Sequence, residues 1–410
     1  MTPDALIKDA CDAWAAEAQV PADLADRALR TRSRRRTAKV SATAVIAAAG
    51  LALGLTALPA KPKPHSDPVV MSADTSLRTD LSTGFPRHLV AAGHTAVAAY
   101  YTTRSQSSVK TTKAVDWTLT TTTTVMTRTW YLYDPAFRKY QATPWAYLDV
   151  APGMHQAAVL EGPLPASRIG VLDLATRKIV RWIPLANKVG AVSWSPDGRR
   201  LVATAYNRNP DVELDYEFRA KRRTGGGNWQ LPAGPRTGYY VVDTTTGGTA
   251  FHSLAADRDN PGTRQDLGWS RDGTLVWAPT ATSPTKVFFD LSGDARPAPP
   301  HEAETDTPQE AGLSPNGTLL PAFGPKPGPA VTVTNVTTGK SVAVLPIERA
   351  LAWADDAGLF AWGCDVKHCR GKGEFTSRLL LVNLNGKITP LTGYQRSGRS
   401  GAWTPVFTHR

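Results

Sequence analysis

The segment Ala191-Val-Ser-Trp-Ser-Pro-Asp-Gly198, followed by Arg200-Leu-Val-Ala-Thr204, decides how the rest of the chain is read. A short apolar run enters a turn that ends in Asp-Gly, and a second apolar run leaves it. Glycine after aspartate supplies the positive φ of a tight hairpin, so the unit reads as two antiparallel strands. Working outward, the pattern returns as Asp266-Leu-Gly-Trp-Ser-Arg-Asp-Gly273 with Thr274-Leu-Val-Trp277 after it. Two further copies are Glu310-Ala-Gly-Leu-Ser-Pro-Asn-Gly317 and Leu351-Ala-Trp-Ala-Asp-Asp-Ala-Gly358. Weaker ones stand at Leu148-Asp-Val-Ala-Pro-Gly153 and Ala402-Trp-Thr-Pro405.

A second motif alternates with the first. Val171-Leu-Asp-Leu-Ala-Thr176, Val241-Val-Asp-Thr-Thr-Thr-Gly247 and Phe288-Phe-Asp-Leu-Ser-Gly293 are apolar runs ending in Asp and a turn. Leu132-Tyr-Asp-Pro135, Val333-Thr-Asn-Val-Thr-Thr-Gly339 and Leu381-Val-Asn-Leu-Asn-Gly386 complete the set. An Asp or Asn side chain bonds backbone groups of its own turn, so it belongs there without any catalytic role. Ala151 and Ser195 are 44 residues apart, as are Ser270 and Ser314. Four strands in about 40–50 residues is the period of a propeller blade. The repeats resemble those of TolB-like and WD-repeat propellers over residues 88–407, with Ser195-Pro-Asp-Gly198 as the best match. That resemblance implies a fold and leaves function open, since propellers serve as hydrolases, scaffolds and receptors alike. The expected class is all-β: a six-bladed β-propeller, with seven blades as the alternative. The strand Ala402 to Phe407 is expected to complete the blade begun by His94 to Tyr101, hiding the open edges of the ring.

Composition agrees with many short strands. The 410 residues include 33 glycines and 32 prolines, and 41% are hydrophobic, enough for a core. The formal net charge of +12 points to an anionic neighbour such as a membrane surface or an envelope polymer. Val40 to Leu58 is a stretch of 19 residues without a charge, about 28 Å long as a helix and close to a bilayer's hydrocarbon thickness. Arg27, Arg30, Arg32, Arg34, Arg35, Arg36 and Lys39 precede it, which by the positive-inside rule leaves residues 1–39 in the cytoplasm. The expected order is a basic helical tail (1–39), a transmembrane helix (40–58), a Pro-rich linker (59–87) and an extracytoplasmic propeller (88–410). A secretory signal cleaved near Leu58-Pro59-Ala60 is the alternative. With most of the chain outside the cell, nucleic acid is not an expected partner.

One interval breaks the rhythm. Ser195 to Ser270 spans 75 residues with no further Asp-Gly turn, which predicts an inserted loop at about Asn207 to Thr237. The same second-to-third-strand connection is long at Thr103 to Arg128 and at Asp365 to Ser377. All connections of this kind emerge on one face, and long loops on a rigid scaffold are where binding concentrates. The candidate binding face comprises Arg219, Lys221, Arg222, Arg223, Trp229, Lys367, Arg370 and Lys372. It suits an unknown protein or an anionic envelope ligand. A solvated charged rim is the competing reading, because Asp211, Glu213, Asp215 and Glu217 share the same insertion.

Motifs for catalysis are weak. Gly339-Lys-Ser341 lacks the earlier glycine of a phosphate-binding loop, which is Thr334 here. Gly268-Trp-Ser270 and Gly312-Leu-Ser314 lack the closing glycine of a nucleophile elbow. Trp194, Trp269 and Trp353 share one repeat position and read as packing residues. Cys364 and Cys369 are separated by four residues in one loop and, outside the cytoplasm, are expected to pair as a disulfide. No catalytic residue, metal ligand or cofactor is assigned. The function expected is a membrane-anchored binding or scaffolding module. A propeller hydrolase or lyase, and signalling through the N-terminal tail, are the alternatives.

Overall fold

Each Asp-Gly turn is a lock of the same design. Ser195 Oγ donates to Asp197 Oδ1 at 2.5 Å and accepts from Arg200 N at 2.9 Å. Ser270 with Asp272, and Ser314 with Asn316, repeat the first bond at 2.7 and 2.8 Å. The glycines that end these turns, Gly198 and Gly273, hold φ of 67° and 69°, which a side chain would resist. The second motif closes its turns through its Asp or Asn: Thr176 N donates to Asp173, Thr246 N to Asp243 and Thr338 N to Asn335.

The computed structural model describes residues 74–82, 84–113, 117–220, 234–255, 264–280, 285–303, 310–324, 330–364, 376–396 and 402–410. The expected tail, transmembrane helix and first part of the linker lie outside these residues. Among the described residues no helix is long and apolar enough to cross a membrane. Regular structure there is β-strand throughout, arranged as an all-β propeller of antiparallel sheets.

The first sheet contains Thr95–Lys113, Trp117–Asp134 and Lys139–Ala142, and the chain's last strand, Trp403–His409, lies against Thr95–Lys113. Thr95 faces His409 and Thr102 faces Trp403, so the two ends of the propeller are joined in one sheet. A seven-stranded sheet follows, from Tyr147–Val150 to Thr249–Ser253. Next come a four-stranded sheet (Gly268–Trp269 to Ala295–Arg296), a three-stranded one (Leu319–Phe323 to Ser341–Leu345) and a five-stranded one (Arg349–Asp355 to Gln395–Arg396).

Six separate blades, or seven, are not what the pairing shows. Four sheets have four or more strands and a fifth has three. The physical reason lies in Lys178–Trp194, which runs 17 residues as one strand. Its first part pairs with Ala166–Asp173 and its last part with Arg200–Tyr206, so two repeats fuse into one sheet. In the three-stranded sheet the turn Ser314–Gly317 is present, but the run before it is not a strand.

Two of the long connections contain strands. Thr103 to Lys113 pairs residue by residue with Thr118 to Arg128 as a long hairpin. Val212–Ala220, inside the expected insertion, crosses to this hairpin and pairs with Trp117–Val125. Threonine is β-branched and favours extended backbone, and Val212-Glu-Leu-Asp-Tyr-Glu217 alternates apolar and acidic residues with the period of a strand.

The core lies between successive sheets. Val90, Tyr100, Phe360, Trp362 and Trp403 bind the first sheet to the last. Ile169, Ile183, Val192 and Leu201 do the same within the seven-stranded sheet. Each such side chain, fully buried, contributes about 1.5–3 kcal/mol. Part of the expected linker is also fastened here: Asp80 N donates to Leu391 O at 2.8 Å, and Trp403 Nε1 donates to Gly84 O at 2.7 Å.

Candidate functional site

Inner runs of the repeats converge on a central channel. Trp194 Nε1 donates to Asp149 O at 3.2 Å, Trp269 Nε1 to Ser193 O at 3.0 Å, and Trp353 Nε1 to Gly312 O at 3.0 Å. Each indole therefore reaches the preceding described repeat, so the shared tryptophan position is a lock between repeats as well as packing. Thr95 Oγ1 donates to Trp353 O at 2.8 Å and carries the series across the closure.

On the face of the Asp-Gly turns the channel widens to a cavity of about 400 Å³, with Asp149, Trp269, Arg271, Glu310 and His409 in its wall. Burial pushes the Asp149 carboxyl up to about 6, against two backbone N–H bonds that oppose the shift. Those bonds, from Val150 N at 2.9 Å and Trp194 N at 2.8 Å, occupy both oxygens. Burial lowers the His409 pKa. The buried serines of the turns resemble nucleophile–acid pairs by distance alone. Their hydroxyls are used inside the turn, and Ser195, Ser270 and Ser314 are fully buried. Among the described residues no group of His, Cys, Asp and Glu is placed to hold a metal ion.

The opposite face carries the second-to-third-strand connections. There a chamber of about 620 Å³ is walled by Glu310, Glu348, Arg349, Trp362, Gln395 and Trp403. These residues begin or end strands at that face: Arg349 and Trp403 open theirs, and Trp362 stands at the end of Gly358–Gly363. Arg349 Nη1 is 2.9 Å from Glu310 Oε1. Burial raises the Glu348 pKa, and Arg349 opposes it.

A buried ion network fixes the inserted segment at this face. Asp211 Oδ1 takes Arg128 Nη1 and Arg264 Nη2, the latter at 2.8 Å, and Arg264 Nη1 is 3.0 Å from Asp266 Oδ2. Tyr206 Oη donates to Asp266 at 2.7 Å. Burial alone would lower the Arg264 pKa, and Asp266, with Tyr147 and Asp211, more than offsets it.

The chain is similar in fold to TolB. Against TolB of Acinetobacter baumannii the TM-score is 0.37 at 11% identity, over 75% of this chain and 83% of that one. Against a chain of a mitotic checkpoint complex it is 0.36 at 12% identity, over 71% and 86%. Against a functionally unknown protein from Desulfotomaculum acetoxidans it is 0.33 at 12%, over 75% and 89%. The likeness is one of fold. No family profile matches the sequence, and no curated protein does.

Of the residues expected to form the binding face, Arg219 lies on Val212–Ala220 opposite Thr118. Lys221, Arg222, Arg223, Trp229, Lys367, Arg370 and Lys372 lie outside the described residues. Cys364 is buried, while Cys369 lies outside the described residues. Sequence reasoning missed Asp149, Asp211 and Arg264. For Asp149 a signal was available: it precedes Val150 in the weaker copy of the first motif, where an indole one repeat on needs an acceptor.

Proposed function

We propose that this chain is a binding or scaffolding module, anchored in a membrane by residues 40–58 with the propeller on the extracytoplasmic side. Its working surface is the face of the second-to-third-strand connections, and its partner is a protein or an anionic envelope polymer. The observation that supports this reading is structural investment on one face: the long hairpin, the inserted strand and the largest of the chambers described above all stand there. The opposite face bears short turns. Arg219 on the inserted strand and Lys221, Arg222 and Arg223 directly after it in sequence supply the positive charge. Within this proposal Cys364 pairs with Cys369.

The test uses the full chain in detergent on a dextran sulfate column. Replacing Arg219, Lys221, Arg222 and Arg223 by alanine is expected to lower the salt needed for elution, because each contact with a polyanion releases counterions. Unchanged elution removes the charged face from the proposal. Alkaline extraction of membranes tests the anchor, which fails if the chain appears in the soluble fraction.

A further inference from the structure

On the face of the short turns, a cavity of about 360 Å³ lies between the first sheet and the seven-stranded one, beside the segment that begins at Asp74. Three arginines, Arg78, Arg138 and Arg410, line it with one carboxylate, Asp74. The side chain of Arg410 is 6% exposed. Its Nε and Nη2 donate to the carbonyls of Gly93 and Ser76, at 2.6–3.1 Å. Its Nη1 stands 3.8 Å from Asp74 Oδ2, beyond hydrogen-bond reach. Arg78 Nη2 is 2.6 Å from the same carboxylate oxygen, while Arg78 Nε is buried with no hydrogen-bond partner among the described residues.

Arg410, buried, and Arg78, partly exposed, thus meet beside one cavity, where Arg78 Nε is a buried donor without an acceptor among the described residues and one side-chain carboxylate shares the wall with three arginines. Leaving such a buried donor unpaired is costly, so a structure that keeps it calls for an acceptor. Arg138 and Met154, both in the wall, hold left-handed backbones with φ of 54° and 55°. Non-glycine residues adopt that region at a cost, and such outliers concentrate at ligand sites. The remaining wall is apolar, from Leu89, Tyr133 and Leu174.

We propose that this cavity binds a small organic anion, a phosphate monoester or carboxylate carried on an apolar body. The planar guanidinium fork matches either oxyanion, and the apolar wall takes the rest of the ligand. The site is separate from the long-connection face and stands or falls independently of it.

Calorimetric titration of the full chain with phenyl phosphate tests the proposal. Saturable binding is expected, at least tenfold tighter than for inorganic phosphate, with none for uncharged benzyl alcohol. Arg138→Asn, which keeps a residue tolerant of the left-handed backbone, and Arg78→Gln should each weaken phenyl phosphate at least tenfold. Arg199→Gln, on a distant turn, should leave it unchanged. Dihexanoyl phosphatidate separates two sources of the same chemistry: tighter binding than phenyl phosphate points to a membrane lipid, and equal or weaker binding to a soluble metabolite. Absence of saturable phenyl phosphate binding overturns the site. So does unaltered affinity in Arg138→Asn when its circular dichroism matches the parent chain.

Discussion

Asp149 carries a carboxyl group whose two oxygens hold the backbone N–H groups of Val150 and Trp194, while its own carbonyl receives the Trp194 indole. One residue therefore ties two repeats together from both sides. Burial raises its pKa from 3.8 in an exposed chain to about 6 in the fold, so the folded state binds the proton more tightly. Below about pH 4 both states are protonated and nothing is lost. As pH rises through about 6 the folded state has to ionise a half-buried group, and stability falls by up to about 3 kcal/mol. Asp149→Asn removes this dependence. Urea unfolding from pH 4 to pH 7 should show the parent chain losing stability relative to Asp149→Asn, and a difference that stays constant would refute the assignment. The indoles allow a second test. Trp353→Phe keeps a ring in place and deletes the bond to Gly312 O, for an expected loss of about 1–2 kcal/mol in urea unfolding. No loss would mean that the lock contributes by packing alone.

Elements differ in how far the sequence reveals them. The Asp-Gly turns are legible because one residue pair encodes one backbone geometry, and Ser195, Ser270 and Ser314 show the same bond in all three cases. The closure by Trp403–His409 is legible because the repeat leaves one apolar run at each end without a partner. The inserted strand is different. Val212 pairs with Val125 and Glu217 with Thr120, across a gap that holds a whole repeat, and no local pattern announces so distant a partner. Its alternation was visible, but it reads as a strand only once the neighbour is known. Blade counting failed for a related reason: nothing between Lys178 and Trp194 forces a break, and Lys188-Val-Gly190 stays extended. The candidate basic residues were grouped by charge, which says little about position, whereas the buried pairs Arg128–Asp211 and Arg264–Asp211 join residues far apart in sequence. The hairpin makes its own prediction. Among the described residues, Trp117–Val125 is bonded on both sides, while Thr103–Lys113 has a strand on one side only. Hydrogen exchange should therefore find the amides of the central strand protected, and every second amide of Arg104–Lys113 exchanging rapidly. Equal exchange along both strands would show that the three-stranded extension does not persist in solution.

At the scale of the molecule, the question is what keeps the extension attached to the ring. Arg128 comes from the hairpin, Asp211 from the start of the inserted strand, and Arg264 and Asp266 from the approach to the four-stranded sheet. Asp211 sits between two guanidiniums, with side-chain exposures of 8% for Asp211, 11% for Arg128 and 12% for Arg264. Salt screens such a site poorly. Its net worth is limited, because desolvating the charges offsets much of their attraction, but removing one partner strands the others. Asp211→Ala strands Arg128, leaves Arg264 with Asp266, and should cost about 3–5 kcal/mol, with little dependence on salt. The double change Arg128→Met with Asp211→Leu removes a cation together with its acceptor and leaves Arg264 on Asp266. It should recover most of that loss, and hydrogen exchange should show Val212–Glu217 protected again. If Asp211→Ala costs less than about 1 kcal/mol, or if the double variant is no more stable than the single one, the extension is held by strand pairing alone and the network is not its joint.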